Sequence, residues 1–126
     1  MNLKTLLYNI KANKIIGNID INIRKLSQNS KKIIKNSLFF CISGIKTDGT
    51  VYINEAVKNG AKVVVLDKKH YQSFAEKQNC DRLKYTDNKK NITYIFVEDV
   101  RKAMAIMSAN FYGNPQQKLK VMNQLI

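Results

Sequence analysis

The chain has 126 residues, enough for one hydrophobic core and few for two, and its 44% hydrophobic and 25% charged residues exclude disorder, a collagen-like repeat or a disulfide scaffold. No apolar stretch reaches the ~18 residues that mark a membrane span, and the N-terminus lacks the apolar segment of a signal peptide, so a cytoplasmic protein with no membrane partner is expected. The formal charge of +13 suits anionic ligands, but lysines recur along the whole sequence and arginine stands only at Arg24, Arg82 and Arg101, so nucleic acid is not the expected partner.

In chain order, Leu3, Leu6, Leu7 and Ile10 recur at helical spacing behind Asn2, a capping residue, and predict a short amphipathic helix. Residues 14–26 carry Ile15 and Ile16, a break at Gly17-Asn18 and the alternation Ile19, Ile21, Ile23, which reads as a small strand or hairpin. A polar loop is expected over 27–37. Residues 38–42 are a continuous apolar run, and Tyr52, Ile53, Ala56 and Val57 predict a helix over 51–58 that Asn59-Gly60 stops.

A second apolar strand follows over 61–66, then a weaker helix over 69–78, a polar loop over 79–91 and a third strand over 92–97. Asp99 caps a last helix with Val100, Ala103, Met104, Met107 and Phe111 on one face. Strands that are apolar throughout rather than alternately are covered on both faces. The expected architecture is therefore α/β, in two or three layers, with a partly parallel sheet and crossover helices.

Catalytic chemistry is poorly represented. The one histidine, His70, lies among lysines without a serine or cysteine partner, and no two carboxylates form an acid and base couple. Cys41 and Cys80 lack CxxC spacing and read as reduced thiols, and no metal site is expected. The informative stretch is Ser43-Gly44-Ile45-Lys46-Thr47-Asp48-Gly49-Thr50, which leaves the carboxyl end of the first buried strand for a helix. In open α/β sheets ligands gather at that end, although Gly and Asp-Gly also make ordinary turns. The polar segment Gln28-Asn29-Ser30-Lys31-Lys32 is placed to reach the same rim.

Asn29-Ser30-Lys31-Lys32, then Ser37-Leu38-Phe39, Gly44, Asp48-Gly49, Ala56 and Gly60-Ala61 together resemble the N-terminal domain of the Mur ligases. The later Val97-Glu98-Asp99-Val100-Arg101-Lys102-Ala103 and Phe111-Tyr112-Gly113-Asn114-Pro115 look most like the MurE branch, which adds the third amino acid to UDP-N-acetylmuramoyl-L-alanyl-D-glutamate. The resemblance implies a UDP-sugar-binding domain over 1–121, acting in peptidoglycan precursor synthesis within a larger ATP- and magnesium-dependent ligase. Its partner would be the UDP-N-acetylmuramoyl-dipeptide, and the domain is expected to be monomeric.

By the same resemblance Ser30 contacts the UDP portion, Gln28 makes a weaker contact beside it, and Ile45, Lys46 and Thr47 surround the uracil. Asn29 for Asp, Lys31 for Arg and Asn36-Ser37 for Gly-Asp depart from the family pattern. After Val121 the family continues into a Gly-rich phosphate loop, whereas this sequence reads Met122-Asn123-Gln124-Leu125-Ile126. No cofactor is therefore expected on this chain, which is read as inactive alone, with 122–126 a tail outside the family pattern. The alternatives are the branch that adds D-Ala-D-Ala, MurF-like, and a basic nucleic-acid-binding module.

Overall fold

In a computed structural model, which describes residues 1–42, 49–71 and 91–113, the three apolar runs become the inner strands of one five-stranded sheet. Most of the expected 69–78 helix, together with Cys80, Pro115 and the 122–126 tail, lies outside the described residues. The strands are β1 (Ala12–Ile16), β2 (Lys25–Ser27), β3 (Ser37–Phe40), β4 (Ala61–Asp67) and β5 (Thr93–Val97), in the order β1-β5-β4-β3-β2. β2 to β5 run parallel, and β1 closes the β5 edge antiparallel.

Three layers result. Side chains alternate across a strand, so Leu38, Phe40, Val63, Val65, Ile95 and Val97 fill one core. Phe39, Cys41, Val64, Leu66, Tyr94 and Phe96 fill the other. Helices α1 (Leu3–Leu6) and α3 (Val100–Phe111) cover the first face through Leu3, Leu6, Val100, Ala103 and Met107. Helix α2 (Ile53–Asn59) covers the second through Ile53 and Ala56. Both faces being buried is why the inner strands read as mostly apolar runs rather than as alternating ones.

The local signals hold at the helix ends. Asn2 Oδ1 accepts from the Lys4 amide at 2.9 Å, and Asp99 Oδ1 from the Lys102 amide at 3.1 Å. Gly60 ends α2 at φ +121°, its amide turned back onto the Ala56 and Val57 carbonyls. A 3₁₀ turn, Gly49–Tyr52, leads into α2.

Of the small strand or hairpin expected over 14–26, the strand is present as β1, which carries Ile15 and Ile16, and the hairpin does not form. β1 and β2 lie at opposite edges of the sheet, and the Ile19, Ile21, Ile23 run between them packs on the first core. Its backbone bonds go to the N-terminal residues, with the Leu3 amide on the Ile21 carbonyl and the Ile23 amide on the Met1 carbonyl, both at 2.7 Å. Apolar alternation reports which side chains are buried and carries no information about which strand is the neighbour. Within the expected polar loop, Ser30–Lys32 forms a 3₁₀ turn and β3 begins at Ser37.

Candidate functional site

Because β2, β3, β4 and β5 are parallel, their carboxyl ends share one rim. Ser27-Gln28-Asn29 leaves β2 there, Cys41-Ile42 follows β3, Asp67-Lys68 ends β4 and Glu98-Asp99 follows β5. A cleft of about 360 Å³ opens over the β3, β4 and β5 ends, with Cys41, Asp67, Glu98 and Arg101 on its walls. One surface ion pair, Lys68 Nζ to Glu98 Oε1 at 3.3 Å, crosses the rim; with both side chains exposed it contributes little to stability.

Gln28 is exposed and lines a second cleft of about 480 Å³, between the β2 end and the last turns of α3, with Lys32, Met104, Ser108 and Tyr112. Ser30, two residues on, turns the other way. It is 5% exposed, its hydroxyl donates to Glu55 Oε1 on α2, and its carbonyl accepts from Asn59 Nδ2 at 2.9 Å. The two predicted contacts therefore face different neighbours, Gln28 the α3 side and Ser30 the α2 side. Ile45, Lys46 and Thr47 lie outside the described residues, although the chain that holds them connects the β3 end to the turn before α2.

The turn carrying Ser30 is held from several sides. Asn29 caps it, Oδ1 accepting from the Lys31 amide at 2.9 Å, while the Asn29 amide donates to Ser27 Oγ at 3.0 Å. Lys25 Nζ donates to the Lys32 carbonyl at 2.8 Å. Asparagine fills the cap with the same side-chain oxygen that aspartate would supply, so the departure from the family pattern at Asn29 leaves the turn intact. Lys31 and Lys32 are exposed and keep cationic groups beside the turn.

Glu55 and Asn59 were not legible in the sequence as partners of Ser30. They lie 25 and 29 residues from Ser30. Their only sequence signal is two polar residues four apart on one flank of a helix, which solvated helices show everywhere. Among the described residues no group of three or more His, Cys, Asp and Glu side chains is placed to hold a metal ion, and no helix is long and apolar enough to cross a membrane. A further cleft of about 630 Å³ lies at Asn9, Lys11, Asn13 and Lys102 and includes none of the predicted residues.

Comparison with known proteins adds the following. The sequence profile described as "Mur ligase family, catalytic domain" matches residues 22–112. The chain is similar to the UDP-N-acetylmuramoyl-L-alanyl-D-glutamate--2,6-diaminopimelate ligase of Clostridium tetani, at 41% identity over 121 residues, covering 96% of this chain and 22% of the relative. It is similar to the enzyme of the same name from Clostridium botulinum at 39% identity, with the same coverage. The chain thus spans about a fifth of the length of the curated relatives it matches. Among solved structures, a MurF from Acinetobacter baumannii shares the fold with a TM-score of 0.57 and 16% identity, covering 86% of this chain and 20% of that one.

Proposed function

The chain belongs to the Mur ligase family, and on that premise we propose that it holds the uridine diphosphate end of a UDP-N-acetylmuramoyl-dipeptide for a MurE-like ligase of peptidoglycan precursor synthesis. The observation that carries the reading is the 41% identity over 121 residues to an enzyme whose name specifies that substrate. The MurF-like alternative is the weaker one, since the MurF resemblance is at 16% identity and is one of fold.

The physical setting agrees with the reading. Ligands of open parallel sheets sit outside the carboxyl ends of the strands, where Gln28, Ser30 and the segment with Ile45, Lys46 and Thr47 leave β2 and β3. A diphosphate is drawn by the net charge of +13 and by Lys31 and Lys32 on the turn. The sequence contains no Gly-x-x-x-x-Gly-Lys-Ser/Thr run, so the proposed role is to hold the substrate, with ATP and magnesium handled elsewhere in the ligase. Residues 1–121 make up the proposed holding unit, which would work in the cytoplasm, where nucleotide-sugar precursors are made.

The test is ligand-observed NMR of UDP with the purified chain. Saturation transfer to the uracil and ribose protons at millimolar UDP is expected, and its absence from a sample with a dispersed protein spectrum defeats the reading.

A further inference from the structure

We infer that Glu55 is a positioning residue that turns the Ser30 proton toward α2, so that Ser30 meets the ligand as a hydrogen-bond acceptor and reads the nucleoside rather than the diphosphate. The inference rests on the reading of this chain as a UDP-holding unit.

A serine hydroxyl has one proton to donate and two lone pairs, whereas an ionised carboxylate can only accept. The contact between Ser30 Oγ and Glu55 Oε1 therefore uses the single proton of Ser30. The orientation is fixed from both ends. Asn59, one turn after Glu55 on the same flank of α2, donates to the Ser30 carbonyl at 2.9 Å, so α2 grips the backbone and the side chain of one residue. Asn29 and Lys25 hold the rest of the turn. Among the described residues no lysine or arginine forms an ion pair with Glu55.

Two consequences follow for a ligand at Ser30. A diphosphate at neutral pH offers only acceptors, which the spent hydroxyl cannot satisfy, and a phosphate at that point would also lie against the charge of Glu55. The imide N–H of uracil and the ribose hydroxyls are donors, and they match the lone pairs that Ser30 retains. The charged phosphates fall instead to cations such as the exposed Lys31 and Lys32.

The experiment is a cycle of variants against two probes, uridine and UDP, with dissociation constants from NMR titration and a thermal midpoint for each variant. Ser30→Ala is expected to weaken uridine and UDP by the same factor, about 3 to 10, because the hydrogen bond it removes is to the nucleoside that both probes share. Glu55→Ala is expected to weaken both to a similar extent, and the double variant to be no worse than either single one, which identifies Glu55 as acting through Ser30. Glu55→Gln, which keeps an accepting oxygen, is expected to stay within about twofold of the parent. A Ser30→Ala effect confined to UDP overturns the inference, and so does additivity of the two alanine substitutions. A parent chain that binds neither probe defeats the UDP-holding reading itself, and the inference with it.

Discussion

Replacing Gly60 by alanine tests the packing that sets α2 against the strand before it. Gly60 has φ +121°, where an L side chain is strained, and its place in the fold is crowded by backbone. A Cβ there would lie 2.6 Å from the Lys35 Cα, 2.8 Å from the Lys35 nitrogen and 2.9 Å from the Ile34 carbonyl carbon. Those atoms cannot recoil freely, because the Asn36 amide donates to the Gly60 carbonyl at 2.9 Å and the Ile34 amide to Ser37 Oγ at 3.0 Å. The left-handed conformation costs about 1–2 kcal/mol for alanine. The overlap adds about 1–3 kcal/mol of overpacking. A loss of about 2–5 kcal/mol is a large part of the roughly 5–15 kcal/mol typical of a domain. Urea unfolding followed by circular dichroism should move the midpoint down by about 1–2.5 M for an m-value near about 2 kcal/mol/M. Lys58→Ala, on the exposed side of the same helix, is the control and should stay within about 0.5 kcal/mol of the parent. A Gly60→Ala midpoint equal to that of the control would refute the argument.

Two further outcomes are expected. Asn110 is buried and its Nδ2 donates to the Leu6 carbonyl at 3.0 Å and the Tyr8 carbonyl at 2.8 Å, so Asn110→Ala should cost about 1–3 kcal/mol; Asn110→Asp, which sets a carboxylate against carbonyls, should cost more. Thermal midpoints check the order, and an aspartate variant as stable as the parent at neutral pH contradicts it. The purified chain with magnesium and ATP should release no phosphate above background, since the sequence lacks a phosphate-cradling loop; metal-dependent hydrolysis abolished by a substitution within this chain would overturn that expectation.

The inner strands were legible because their burial is two-sided. Residues 38–42 are apolar at every position, and 61–66 and 92–97 at every position but Lys62 and Thr93; runs so dense in apolar residues call for cover on both faces, which points to strands in a partly parallel sheet and leaves two or three layers open. The partners of the edge strands were hidden for the opposite reason. β1 is largely exposed and β2 is three residues long, so neither carries enough pattern to specify a neighbour, and proximity in sequence suggested a hairpin that the sheet order excludes. Asn110 escaped the α3 reading because a polar residue on the apolar stripe interrupts the period, although it satisfies two carbonyls left open where α1 ends.

The candidate site was legible only as a neighbourhood. Strand direction and the family pattern lead one to expect Gln28, Ser30 and residues 45–47 near one rim, but the pattern is written in residue types and says nothing of where a proton points. The pairing of Ser30 with Glu55 spans 25 residues and depends on α2 settling on the second face of the sheet, which Ile53 and Ala56 bring about by burial. Hydrophobic packing of α2 thus decides which group the Ser30 hydroxyl can serve. The same dependence makes the chemistry of Ser30 sensitive to changes that never touch a ligand: a substitution that lifts α2, such as Gly60→Ala at its end, should release the Ser30 proton as well as destabilise the fold. Disappearance of the equal Ser30→Ala effect on uridine and UDP in a Gly60→Ala background, under conditions where that variant is still folded, would connect the packing to the site.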